Sequence, residues 1–325
     1  MRNKSLDILK FISSVFIVFI HIMFVGEFGV SVKAVARFAV PIFFMSSGYF
    51  SYNAITTGDT KKLLNRCLPL LKILAVSIVI YAIFELVFTR SYTFLTDLKL
   101  MKTYIKLFVF NNFNDSFFIS LWFLVALIYT YLAIAVVVKL KAVRLIKFMP
   151  LLLLVSVLFY DVLTGYMGMV LSQIYVRNFL FTGLPFFSLG YLLYENTART
   201  EKIPCPILVL LVIVGAVISL IECKFLNNDG NIYFGTLLMS FSLFEIFVRQ
   251  TVKIDDERLS YCLSKMPLYI YVLHTPINSV FKNLSLNAAI NGYIYPAAVL
   301  LATCIIAILI TCLKFSFIQR KNKRI

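Results

Sequence analysis

The sequence is poor in charge, and the charge it has is one-sided. Only 14% of its 325 residues are charged, and lysine and arginine outnumber aspartate and glutamate by 31 to 15. Hydrophobic residues make up 61% of the chain, and the mean hydropathy is +0.92. A soluble domain of this size needs a polar surface, so the composition excludes an ordinary soluble protein.

Residues that carry common chemistry are also scarce. The chain has two histidines, one tryptophan and six scattered cysteines, with no CxxC pair and no metal-ligand spacing. The cysteines are therefore interpreted as small apolar residues, and no metal site is expected. The net charge of +16 could suggest nucleic-acid binding. However, the basic residues cluster in short loops between apolar runs, as in membrane proteins, so no nucleic-acid partner is expected.

Long apolar runs recur from one end of the chain to the other. They predict an all-α, polytopic membrane protein, a bundle of about ten transmembrane helices in a single domain, 1–325. The expected spans lie near 6–26, 35–55, 68–89, 117–139, 145–164, 172–194, 204–223, 232–251, 264–283 and 292–315. Basic residues concentrate in alternate loops, so both termini are expected in the cytoplasm. The pattern of 90–116 predicts a basic amphipathic helix on the outer leaflet.

The first apolar segment carries a polar stripe. Asp7, Lys10, Ser14 and His21 recur at helical spacing. Lys10 and His21 are three turns apart, which is about 16 Å along a helix axis. Two interpretations stay open: a polar path for a substrate, or an interfacial Asp7–Lys10 pair with a histidine bonded to another helix.

Other ionisable residues also fall at membrane depth, where they cost several kcal/mol and therefore pair or line cavities. "PLYIYVLHTPI" places His274 near a span centre, and helix packing alone could satisfy it. Arg37 and Arg177 each need an anion or water. Glu245 lies four residues from Arg249, which predicts a structural ion pair.

Two segments echo each other. "RFAVPIFFMSSGYF" (37–50) and "RNFLFTGLPFFSLGYLL" (177–193) share an arginine, a proline, paired phenylalanines and a Gly-Tyr. The small residues permit close helix approach, but packing does not explain the arginines.

Taken in order, several segments resemble the membrane-bound acyltransferase 3 family, the bacterial O-acyltransferases that modify surface glycans. They are "LDILKFISSVFIVFIH", "RFAVPIFFMSSGYF", "KKLLNRCLPLL", "LWFLVAL", "LPFFSLGYLL" and "LYIYVLHTPI". The order and spacing of these segments over ten spans carry the resemblance. It implies a multi-pass protein of the bacterial plasma membrane that transfers an acyl group from cytoplasmic acyl-CoA, with acetyl-CoA expected, to a glycan acceptor.

The resemblance also implies site residues. His21 is the expected catalytic residue, either as general base or as an acylated intermediate, and Arg37 is the expected essential partner. Lys10 stands where the family motif has arginine, so it keeps the charge but lacks the bidentate fork. We expect the donor's charged head at Lys10, Lys61, Lys62 and Arg66. The expected cavity residues are Glu85, Arg177, Tyr271, His274 and Asn278. The acceptor's identity and the oligomeric state are not predicted.

The alternative is a transporter or flippase for a glycan, amino acid or lipid-linked intermediate. Buried charges and a weak repeat suit alternating access, although the echoing segments are not short, broken helices at matched positions. A non-catalytic scaffold would leave the stripe on the first helix without a purpose.

Overall fold

The computed structural model describes residues 3–89, 105, 119–161, 163, 167, 175–225, 232–250 and 252–322. Within these ranges the chain is helical and contains no strand. The α-helices are α1 (Lys4–His21), α2 (Gly26–Ala36), α3 (Ala39–Tyr49), α4 (Tyr52–Thr56), α5 (Thr60–Leu64), α6 (Cys67–Phe84), α7 (Trp122–Lys139), α8 (Leu152–Val155), α9 (Leu184–Glu195), α10 (Thr197–Thr200), α11 (Cys205–Phe225), α12 (Phe234–Arg249), α13 (Glu257–Asn283), α14 (Leu286–Ala289) and α15 (Tyr295–Asn322). The 3₁₀ turns are Ile119–Leu121, Val143–Lys147 and Met149–Leu151, and the π-helical turns are Glu85–Thr89, Ser156–Asp161 and Phe179–Gly183.

Helical turns occur in each of the ten predicted spans. Among the described residues, five helical segments are long and apolar enough to cross a membrane: Gly26–Tyr49, Thr60–Val87, Trp122–Lys139, Cys205–Phe225 and Tyr295–Arg320. The all-helical fold is therefore confirmed for this part of the chain. The count of ten spans, the cytoplasmic termini and the single domain stay predictions. The amphipathic helix expected at 90–116 lies outside the described residues, apart from Ile105.

A two-residue turn interrupts the helix at the start of the second predicted span. α2 ends at Ala36, and α3 begins at Ala39. Pro41 lacks an N–H, and its ring clashes in a regular helix with the carbonyl four residues earlier, which is that of Arg37. Arg37 is the first residue of this interruption.

The echoing segments pack directly on each other as α3 and α9. A Cβ added to Gly48 would lie 1.8 Å from the carbonyl oxygen of Phe187, and one added to Gly190 would lie 1.9 Å from that of Met45. Each glycine thus lies against the residue three positions before the other glycine. The two similar sequence segments therefore form a helix crossing in which each glycine contacts the backbone of the other helix. The backbones can touch because the glycines have no side chains.

α1 packs against both α3 and α13, and α13 packs in turn against α15. Leu9 and Ile17 belong to the large buried cluster that includes α3, whereas Val18 and Ile22 belong to a second buried cluster with α13 and α15. α1 is therefore shared by both cores. This position brings His21 beside residues from distant parts of the chain.

Candidate functional site

The polar stripe on α1 faces the interior of the bundle. The helix begins after Asn3, whose side chain accepts a hydrogen bond from the Leu6 amide at 3.1 Å and so satisfies one open donor of the first turn. Asp7 is buried, and its Oδ1 lies 2.7 Å from Lys10 Nζ. The predicted Asp7–Lys10 pair is therefore present. His21 closes the helix at its opposite end.

The two histidines of the chain lie side by side. Their ring centroids are 5.2 Å apart, with the planes tilted by 38°. His274 is completely buried, and its Nδ1 lies 3.1 Å from the carbonyl oxygen of Ile270. A carbonyl can only accept, so Nδ1 carries a proton and donates. Nε2 lies 3.2 Å from the Thr275 hydroxyl oxygen, so both nitrogens of His274 lie against polar atoms of its own helix.

His274 belongs to a polar network that ends on the turn before α7. The Thr275 hydroxyl donates to Ser120 Oγ at 3.1 Å, and Tyr271 OH donates to the Ser120 carbonyl. Tyr81 OH lies 3.1 Å from Ser120 Oγ. Sequence reasoning did not single out Ser120, because a serine at the edge of an apolar run is an ordinary helix residue.

By contrast, the imidazole of His21 makes no hydrogen bond to the residues that the structure describes. It lines a small cavity of about 40 Å³, called here the histidine pocket, together with Arg37, Arg177, Trp122 and Thr182. The structure therefore gathers in one pocket the first histidine and both arginines that the sequence singled out. Trp122 was missed, although it is the only tryptophan in the chain.

Local backbone breaks hold both arginines at the pocket. Arg37 occupies the two-residue turn between α2 and α3 and is 7% exposed. Arg177 precedes Asn178, whose side chain caps the next turn by accepting hydrogen bonds from the Leu180 and Phe181 amides at 3.0 and 2.9 Å. Two guanidinium groups beside an imidazole form a cationic pocket that can stabilise a developing negative charge.

A second cavity, of about 270 Å³ and called here the inner cavity, is lined by other turns of α1, α3 and α7. Lys10, Ser46 and Arg66 supply polar groups to its wall. The hydroxyl of Ser46 is buried and has no hydrogen-bond partner within the described ranges. A ligand in this cavity could therefore use that hydroxyl.

Arg66 is held rigidly at the wall of the inner cavity. Its Nη2 donates to the Phe50 carbonyl at 2.7 Å, and its Nη1 donates to the Ser51 hydroxyl at 3.2 Å and to Tyr131 OH at 3.4 Å. These bonds fix the guanidinium as a positive charge near Lys10, which lines the same cavity.

Several expected site residues lie elsewhere. Lys61 and Lys62 are exposed on α5 and line neither cavity. Asn278 accepts a hydrogen bond from Tyr295 OH at 2.7 Å, so its side chain faces the start of α15. Glu85 is buried in the π-helical turn after α6 and also lines neither cavity.

Comparison with protein families identifies the class of molecule. The acyltransferase 3 model, described as an acyltransferase domain, matches residues 3–314. The chain belongs to the acyltransferase 3 family. No curated protein and no solved structure matches it. Membership makes the chain an acyltransferase, and its apolar helices indicate a multi-pass membrane protein of that family.

Proposed function

We propose that this acyltransferase moves an acyl group, acetyl in the simplest case, from cytoplasmic acyl-CoA to a hydroxyl of a surface or extracellular polysaccharide precursor. It would do so in the bacterial plasma membrane. The observation that carries the proposal is the histidine pocket, where His21 has no hydrogen bond to the described residues and faces Arg37 and Arg177. A base beside two cations is the arrangement that acyl transfer requires.

In this proposal the two histidines have different roles. His274 is completely buried, and its Nδ1 donates to the Ile270 carbonyl, so it acts as a positioning residue that packs on the His21 ring. His21 acts on the acceptor hydroxyl, taking its proton as the oxygen attacks the thioester carbonyl. Arg37 and Arg177 stabilise the oxyanion that forms on that carbonyl oxygen. The proton then passes to the departing thiolate of CoA.

The same geometry permits a two-step route. His21 would attack the thioester, hold the acyl group on a ring nitrogen, and pass it to the sugar hydroxyl. The two routes differ in a measurable way, because only the second leaves label on the protein when acceptor is absent.

The inner cavity supports an acyl-CoA donor. Lys10 and Arg66 line it at one level of α1, and His21 lies about 16 Å further along the helix. An anionic donor could therefore keep its charges at Lys10 and Arg66 while its uncharged arm extends towards His21.

The test uses purified protein in nanodiscs with radiolabelled acetyl-CoA, and compares wild type with His21→Asn. The control is Thr303→Val, which removes a buried hydroxyl of α15 that lines neither cavity. We expect slow donor hydrolysis or protein labelling in wild type and in Thr303→Val, and its loss in His21→Asn. Folded wild-type protein that neither binds nor hydrolyses the donor would contradict the proposal.

A further inference from the structure

A third cavity, of about 660 Å³ and called here the vestibule, opens where α1 begins. Tyr49, Phe50 and Lys4 are among its lining residues. Phe50 also lines the inner cavity, and the Lys10 ammonium lies 6.0 Å from its ring centroid. The vestibule and the inner cavity are therefore neighbours that share Phe50 in their walls, on the side of Lys10 that is remote from His21.

The vestibule combines the groups that recognise a phosphorylated nucleoside. Lys4 and Lys253 supply positive charge for phosphate, and Tyr49 and Tyr194 supply aromatic surface for a base. The exposed side-chain amide of Asn53 makes no hydrogen bond to the described residues, so it can pair with the edge of a base.

One carboxylate, that of Asp255, also lines the vestibule. It would repel a phosphate placed next to it, but it can accept hydrogen bonds from ribose hydroxyls. A ligand with both hydroxyls and phosphates suits this mixed lining better than an inorganic anion does.

The wall of the vestibule is built by contacts between the two ends of the chain. Lys4 Nζ donates to the Ile254 carbonyl at 2.7 Å, and the Ser5 hydroxyl donates to the Gln250 carbonyl at 2.5 Å. The Val252 amide donates to the same hydroxyl at 3.2 Å. The start of α1 therefore holds the segment that carries Lys253, which makes the cavity preformed, as ligand sites usually are.

Lengths decide where each part of an acyl-CoA would lie. The pantetheine arm joins the pyrophosphate to the sulfur through about 12 bonds and spans roughly 14 Å when extended like a peptide. Lys10 and His21 are separated by about 16 Å along α1. A thioester at His21 therefore leaves the pyrophosphate at the level of Lys10 and Arg66, and the nucleoside must lie beyond them. The vestibule occupies that position.

We infer that the vestibule binds the 3′-phosphoadenosine end of the acyl-CoA donor, an inference that rests on the proposed function. Lys253 contacts a phosphate, Tyr49 or Tyr194 packs on the adenine, and Asn53 contacts its edge. The pyrophosphate lies past Phe50, at Lys10 and Arg66. The exposed lysines of α5, Lys61 and Lys62, have no part in it.

The experiment measures donor kinetics in nanodiscs with two donors, acetyl-CoA and S-acetyl-pantetheine, which lacks the nucleotide. Lys253→Gln should raise the KM for acetyl-CoA about 3- to 5-fold, the effect of one exposed charge pair, and leave kcat unchanged. With S-acetyl-pantetheine, wild type and Lys253→Gln should have the same KM. The matched control is Lys202→Gln, an exposed lysine that does not line the vestibule.

A second measurement does not depend on a variant. A CoA analogue with a photoreactive azide on the adenine should attach to peptides that contain Tyr49 or Tyr194. Attachment to the α5 peptide instead would overturn the inference. So would an acetyl-CoA KM that rises in the double variant Lys61→Gln/Lys62→Gln but stays at the wild-type value in Lys253→Gln. Those results leave the proposed function standing. If the wild-type protein uses neither donor and binds no CoA, the inference and the proposed function are both wrong.

Discussion

Replacing Gly48 with alanine should lower both the stability of the α3–α9 crossing and the catalytic rate. The new Cβ would lie 1.8 Å from the Phe187 carbonyl oxygen, and ordinary contact begins at 3.4 Å, so the backbones must part by about 1.6 Å. Overpacking of this kind costs about 1–3 kcal/mol. The atom in the way is a backbone oxygen, so no side chain can rotate to relieve the clash.

The catalytic effect follows from what the two helices carry. Arg37 lies two residues before α3, and Arg177 lies seven residues before α9. Parting the helices therefore moves both guanidinium groups relative to His21. A misplacement of about 1 Å at a reacting centre costs roughly 100-fold in rate, so we expect a fall in kcat of that order with little change in the donor KM.

The assays are thermal unfolding in detergent and acetyl-CoA turnover. Gly190→Ala should behave like Gly48→Ala, because its Cβ would lie 1.9 Å from the Met45 carbonyl oxygen. The matched control is Gly215→Ala on α11, where the nearest atom, the Gly235 carbonyl oxygen, is 2.8 Å away and the site lines neither cavity. Wild-type stability and kcat in Gly48→Ala, or a larger kcat loss in Gly215→Ala, would refute the reasoning.

Three further changes have distinct expected results. Arg249→Met should lower the free energy of unfolding by about 3 kcal/mol, because it leaves the buried Glu245 carboxylate without the cation that Arg249 Nε places 2.9 Å away. Thermal unfolding measures the effect, and an unchanged unfolding temperature would contradict it. Thr275→Val should lower kcat about 5-fold through loss of one hydrogen bond near His274, with the KM for acetyl-CoA unchanged in steady-state assays. Lys10→Gln should raise the acetyl-CoA KM about 10-fold, whereas Lys10→Arg should not; equal effects of the two would show that charge at this position is irrelevant.

The helices were predictable because long apolar runs are a local signal, and the Glu245–Arg249 pair was predictable because it lies within one helix turn. The interruption of the helix at Arg37 was not foreseen, although Pro41 carries the signal for it. The sequence echo predicted close approach, and Gly48 and Gly190 confirm it.

The site itself was only partly predictable, because its residues come from distant segments. His21 and His274 lie on helices at opposite ends of the sequence, and nothing local says that their rings are 5.2 Å apart. Ser120 and Trp122 were missed for the same reason, since a residue acquires its role from the helices packed around it. Lys61 and Lys62 match the family segment and are exposed on α5, and their expected role at the donor's charged head stays a prediction.

Under the proposed function, α1 joins reaction partners on opposite sides of a membrane, although it is not among the five segments that are long and apolar enough to span one. Its 18 residues span about 27 Å, close to the roughly 30 Å hydrocarbon core of a bilayer. In the wall of the inner cavity, Phe123 packs edge-on against Phe43 and Tyr271, with centroid distances of 5.8 and 5.7 Å. Under the proposed function these rings border the path of the donor's arm. A slender pantetheine arm needs only these side chains to rotate, so the acyl group can cross to His21 while the helices, with their glycine crossing, stay in place.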